Sequence, residues 1–187
     1  MARIRYRKSP GVVASAVLIA AFTVGGVAWH EAQETAQLAV STVEEFEGYV
    51  PEAYLDPAGI WTKCYGDTRN VRPGATYTFE QCAASLNEHL AEITRPVFRC
   101  VPALSEQHSK VQASFASMAY NIGSGAFCSS SVARYANAGN WERACRRMAE
   151  IYTTAKGQPM PGLKVRRKTE SDMCLEGLHE AGLEGAR

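Results

Sequence analysis

From Ser9 to Trp29 the chain carries no charged side chain. Arg3, Arg5, Arg7 and Lys8 stand directly before this stretch and put +4 into the first eight residues. The whole chain has a net charge of +1, so the other 179 residues carry −3. The apolar run Gly11–Trp29 is 19 residues long. As a helix it spans about 28 Å at roughly 1.5 Å per residue, just enough for a bilayer core of about 30 Å. Basic residues ahead of such a run stay in the cytoplasm, so the remainder of the chain goes outward. The run is only weakly apolar, with five alanines, three glycines, Ser15 and Thr23 among its larger side chains. A signal peptide cleaved near Gly26-Val27-Ala28, a permanent type II anchor and an anchor that inserts and later leaves all fit. A helix buried in a soluble core is the fourth option, disfavoured by the basic flank and the terminal position. The expected division is a basic, membrane-spanning segment over 1–29 and a soluble domain over 30–187.

The cysteines agree with export. Cys64, Cys82, Cys100, Cys128, Cys145 and Cys174 all follow the apolar run. An even count in an exported domain points to three disulfides, with the pairing left open by sequence alone. There is no Cys-x-x-Cys pair, and His30, His89, His108 and His179 are scattered. Neither a metal site nor an organic cofactor is expected. At 46% hydrophobic the chain can bury a core, which excludes a disordered or fibrous chain. Its near-balanced charge gives no case for a nucleic-acid partner.

Along the soluble part, His30–Glu47 places Ala36, Val40, Val43 and Phe46 on one helical stripe, with Gly48 and Pro51 to end it. Turn residues 54–59 precede a strand-like Ile60–Thr68. Thr78-Phe79-Glu80-Gln81 is a capping box, and its helix should stop near Thr94, before Pro96. Ser105 is a candidate cap for a helix burying Val111, Phe115, Met118, Ala119 and Ile122, with Gly123 at its exit. A short helix after Ser129, one capped by Asn140 and a last one over 163–178 complete the order. This is an α+β chain, mainly α, with one small antiparallel sheet.

Glu47 lies at a helix end, Asp56 on a turn and Thr62 on the following strand. Glycoside hydrolysis uses a carboxylic acid to protonate the leaving oxygen and a carboxylate across the sugar. Acids beside turns are common, so chemistry alone leaves these residues as surface groups or as a site. The spacing carries more. Glu47-Gly48, Tyr54-x-Asp56-x-x-Gly59, Thr62 and Tyr65-Gly66-Asp67-Thr68, followed by Asn121-x-Gly123 and Gly162-Leu163-x-x-Arg166-Arg167-x-x-Glu170, resemble the phage-type lysozymes of glycoside hydrolase family 24. The resemblance covers about residues 40–180.

It implies a lysozyme-like fold, with a small sheet lobe and a larger helical lobe after the N-terminal helix. It also implies a muramidase that cuts the β-1,4 bond between N-acetylmuramic acid and N-acetylglucosamine in peptidoglycan. Glu47 would be the general acid, Asp56 the carboxylate that handles water or steadies positive charge, and Thr62 the water-holding hydroxyl. Arg166 and Arg167 match the family segment, with one as a candidate ion-pair partner near the cleft. Tyr54, Tyr65, Asn121, Arg166 and Arg167 are candidate substrate contacts, whereas Trp61, Phe115 and Trp141 are expected in the core. Cys64 and Asp67 stand where many members have Gly and His. Glu44, Glu45 and Glu52 are expected to be solvated.

The weakly apolar N-terminus resembles that of signal-arrest-release endolysins. By that resemblance the chain would be exported by the host secretion machinery and wait in the inner membrane as a single-pass type II protein. It would then enter the periplasm when a holin or pinholin depolarises the membrane. Anchored relatives imply the pairs Cys64–Cys82, Cys100–Cys128 and Cys145–Cys174, in a monomer. A lytic transglycosylase and a tethered, non-catalytic wall-binding protein are the alternatives.

Overall fold

The computed structural model describes residues 6–23, 28–56, 58–155 and 157–184. Residues 6–15 form a strap with no helix or strand of its own beyond a single bridge from Arg7 to Tyr49. Ser15 then caps a short helix, α1 (Ala16–Ala21). No helix among the described residues is long and apolar enough to cross a membrane. The expected 19-residue span is therefore divided between the strap, α1 and the first residue of α2 (Trp29–Glu47), and positions 24–27 lie outside the described residues. The physical reason is burial. Leu18, Ile19, Ala21 and Phe22 are inside the core, and the Phe22 ring meets Phe98 edge-on at 5.8 Å. A continuous straight helix would leave much of its apolar surface in water, whereas the strap and short helix tuck part of it against the domain.

The strap's backbone polar groups also need partners. Gln37 accepts from the N–H of Ala14 at 2.9 Å and donates to the carbonyl of Val12 at 3.0 Å. Asn87 accepts from the N–H of Ser15 at 2.7 Å and donates to the carbonyl of Val13 at 3.2 Å. Glu44 takes the N–H of Val12 at 3.0 Å.

After α2, Gly48 turns the chain at φ 68°. β1 (Val50–Leu55) and β2 (Trp61–Cys64) form an antiparallel hairpin that pairs Tyr54 with Thr62 and Leu55 with Trp61. On its other side β1 accepts from Tyr77 N–H at Pro51 and donates from Ala53 N–H to Ala75. Cys64 has φ 58°, a left-handed conformation that explains why glycine suits this position.

The capping box forms as expected, and α3 (Phe79–Cys100) passes through Pro96 instead of stopping before it. Val97 and Phe98 beyond the proline are buried. Their burial, together with the bridge at Cys100, outweighs the one backbone bond that proline removes. A 3₁₀ turn, Pro102–Glu106, occupies the place expected for a helix start at Ser105, and His108 caps α4 (Ser109–Ile122) instead. Every residue of α4 from Val111 to Tyr120 is buried. α5 (Ser124–Cys128), α6 (Ser131–Asn137), α7 (Trp141–Met148) and α8 (Pro161–Glu184) surround it, with a two-residue ribbon of β3 (Thr154–Ala155) and β4 (Gln158–Pro159) before α8. The bridges are Cys64–Cys82, Cys100–Cys128 and Cys145–Cys174. They tie the hairpin to α3, α3 to α5 and α7 to α8. The result is mainly helical, with a small antiparallel hairpin beside the end of α2.

Candidate active site

Glu47 is the last residue of α2, and Gly48 lets the chain turn away immediately after it. Its carboxylate is held on two sides. Arg166 Nη1 of α8 donates to Oε1 at 2.6 Å. Oε2 faces the backbone of Gly66, so close that a Cβ there would lie 3.0 Å away. The side chain remains 20% exposed.

Beneath it is a buried charge cluster. Arg166 is 4% exposed, and Arg167 and Glu170 are fully buried. Arg166 Nε donates to Glu170 Oε1 at 3.1 Å, and Arg167 Nη2 donates to the same oxygen at 2.8 Å. Ser117 of α4 donates its hydroxyl to Glu170 at 2.7 Å and lends its carbonyl to Arg166 at 3.3 Å. Burial pushes the Glu170 carboxyl up, against the pull of Arg167 and Arg166. The Arg166 guanidinium also lies over the Phe46 ring at 5.3 Å.

Asp56 sits where the hairpin turns. Its Oδ1 accepts from the N–H groups of Ala58 and Ile60, both at 2.8 Å, which fixes the carboxylate as a loop brace. Thr62, 3% exposed, donates its hydroxyl to the carbonyl of Ile60 at 3.0 Å, so its lone pairs remain available. Tyr54 links the two acids electrostatically. Its phenol is pushed up to about 12 by burial first, then by Tyr6, Glu47 and Asp56.

The structure sorts the other candidates. Tyr65 is 1% exposed. Its ring stacks on Tyr49 at 5.4 Å, and its carbonyl accepts from Tyr120 OH at 3.0 Å, so it supports the turn rather than presenting a face to a sugar. Arg167 has no solvent access and holds Glu170. Arg166 reaches Glu47 directly. Asn121, partly exposed, lies in the last turn of α4, two residues before Gly123, which leaves the helix at φ 83°. Trp61 is 37% exposed on the hairpin, where a core position was expected, because its strand is an edge with one face open. Asp67, in the position where histidine is common, is buried and binds Lys63 at 2.8 Å and Arg69 at 2.9 Å, with Ser85 also bonded. Burial opposes its charge, but the bonds from Arg69, Lys63 and Ser85 win and hold its carboxyl well below the usual range.

Two acids expected to be solvated are instead engaged with the N-terminal strap. Glu44 binds Ser9 and Val12, and Glu52 pairs with Arg7. Ser9 itself gave no sign in the sequence, because it opens the charge-free run.

Residues 44–170 match the family described as Phage lysozyme. The chain belongs to the phage lysozyme family. It is 34% identical over 132 residues to the SAR-endolysin of Bacteriophage PS119, covering 70% of this chain and 77% of that one. It is also 34% identical over 130 residues to the SAR-endolysin of Enterobacteria phage P21, covering 69% and 76%. Its fold is similar to a crystal structure of the active form of P1 phage endolysin Lyz, with a TM-score of 0.69 and 26% identity, covering 90% of this chain and 97% of that one. The enzyme is an endolysin: a muramidase whose substrate is peptidoglycan and whose reaction is hydrolysis of the glycosidic bond between its two amino sugars.

Proposed function

We propose that Glu47 is the general acid of this muramidase and that Asp56 and Thr62 manage the attacking water. Protonated Glu47 gives its proton to the glycosidic oxygen as the bond to the anomeric carbon breaks. Asp56 takes a proton from water, the water oxygen bonds to the anomeric carbon, and the configuration inverts. Thr62, whose own proton goes to the Ile60 carbonyl, accepts a hydrogen bond from that water. Arg166 then stabilises the carboxylate left on Glu47. The single observation that carries this assignment is the seat of Glu47 at the end of α2, with one oxygen on Arg166 and the other facing Gly66, two residues past the strand that bears Thr62. Tyr54 is well placed to contact the sugar, and Asn121 is a weaker candidate.

The N-terminal 29 residues act as a signal-arrest-release anchor ahead of the catalytic domain over 30–187. The host secretion machinery inserts the chain into the inner membrane with the domain in the periplasm, and a holin or pinholin releases it as a monomer. Support comes from the basic flank, the marginal apolarity and the names of the relatives. Residues 6–23, already docked on the domain, correspond to the released form. While tethered, the same residues are held away from α2, which leaves Gln37 and Glu44 without their strap partners and the acid unseated.

The test uses oxidised full-length protein and its Glu47→Gln variant on purified sacculi, with products read by mass spectrometry. The expected result is reducing-end muramic acid from the first and a fall of at least about 10²-fold in the second. Comparable turnover in both would remove Glu47 from its role. For the anchor, Gly25→Leu with Gly26→Leu should keep the protein in membranes and delay lysis. Unchanged lysis timing would overturn it.

A further inference from the structure

The Ser9 hydroxyl has three partners: Glu44 Oε1 at 2.5 Å, Tyr65 OH at 2.7 Å and the N–H of Gly11 at 3.1 Å. A hydroxyl donates once and accepts twice. A carboxylate only accepts, so the serine proton goes to Glu44, and Tyr65 and Gly11 donate to Ser9. The group is fully satisfied, with nothing to spare.

The two side chains it joins flank the acid. Glu44 is three residues before Glu47 on α2, and its carbonyl accepts the Gly48 N–H, at 3.2 Å, where the helix ends. Its other carboxylate oxygen holds Val12 N–H at 3.0 Å. Tyr65 leads into Gly66, the residue that faces Glu47 Oε2. Two further strap contacts grip the chain just past the acid. The Tyr6 ring lies on Gly48, and the Arg7 N–H donates to the Tyr49 carbonyl at 2.8 Å. The strap thus touches the segments on either side of Glu47 and reaches the turn opposite through one hydroxyl.

We propose that Ser9 is a positioning residue for the acid: delivered by the docked strap, its hydroxyl fixes the end of α2 against the hairpin turn and so orients Glu47. This rests on the assignment of Glu47 as the acid. It goes beyond docking as such, because it puts the coupling on one side chain whose partners are Glu44 and Tyr65.

The experiment measures kcat and KM of the full-length enzyme on soluble glycan strands, with melting temperature beside them. Ser9→Ala should lower kcat by about 10- to 100-fold with KM within about twofold. Ser9→Thr, which keeps the hydroxyl, should restore most of kcat. Tyr65→Phe should give a similar loss, and the double variant should be no worse than either single one, because both remove the same link. Asn87→Ala loosens the strap at Val13 and Ser15, away from Glu47. It should lower the melting temperature while leaving kcat within about twofold. Full activity in Ser9→Ala, additive losses in the double variant, or an equal fall of kcat in Asn87→Ala would each overturn the proposal. Glu47→Gln in the same assay separates two failures. Turnover in that variant removes the acid assignment. An inactive Glu47→Gln beside a fully active Ser9→Ala removes the link alone.

Discussion

Glu47 is held from two directions by two different kinds of structure. From α8 comes a buried network of side chains, Arg166, Arg167 and Glu170, set in a bundle closed by Cys145–Cys174. From the N-terminus comes a strap whose seat consists mostly of side chains bonded to backbone, with Val12 and the four buried apolar residues that follow it, in α1 and at Phe22, packed against the domain. None of the three bridges touches the strap. The first support is permanent once oxidised, and the second is made and unmade without breaking covalent bonds. The difference teaches that only one of the two supports can come and go without covalent chemistry, which is what the proposed release of the N-terminus requires.

The largest test of that contrast is Glu170→Ala. It strands Arg167 as a buried cation and leaves Arg166 with Glu47 alone, and global stability by urea unfolding should fall by about 3–5 kcal/mol. A loss under about 1 kcal/mol would mean that the cluster is not a support at all. Next, matched truncations should behave differently. Phe115→Ala in the helical core should cost about 3–5 kcal/mol of global stability. Phe22→Ala should instead appear as faster proteolysis and amide exchange within residues 6–23, with the bundle transition little moved. Equal global losses would show that the strap is part of one cooperative unit.

A smaller effect concerns pH. Asp67 has its carboxyl depressed in the folded state, so its contribution is complete above the ordinary carboxylate value, near pH 4. It is lost as pH falls below that toward the depressed value. The melting temperature should drop on acidification below about pH 4, and Asp67→Asn should flatten that drop. A variant with an undiminished acid slope would contradict the network of Lys63, Arg69 and Ser85. The smallest effect is at Arg7→Ala. Its ion pair with Glu52 is more than two-fifths exposed on both sides, so stability should change by less than about 1 kcal/mol.

Much of this was legible in the residues. The capping box at Thr78 and Gln81, the Asn140 cap and the Gly123 exit are local chemistry, and they occur as written in the sequence. Glu47, Asp56 and Thr62 stood out by a spacing that resembles the family's, and their roles are the proposal made above. Pro96 misled because tertiary packing of Val97 and Phe98 overrode a local rule. Trp61 misled because size was taken for burial. Ser9 and Glu44, 35 residues apart, were illegible for a deeper reason. A charge-free run describes a lipid-compatible segment, and the same run also describes a strap and short helix that bury Val12, Leu18, Ile19, Ala21 and Phe22 in a domain. Nothing in its own residues distinguishes the two states.

The bonds from Gln37, Glu44 and Asn87 go to main-chain atoms of residues 12–15 and ignore what hangs from them. Every residue but proline offers those same atoms. The seat therefore places few demands on the alphabet of the segment it receives, and apolar letters there can be exchanged with little loss of fit. On the proposed anchor reading, hydrophobicity can be adjusted, residue by residue, to set how readily the segment leaves lipid, while the address at which it lands stays written in the backbone.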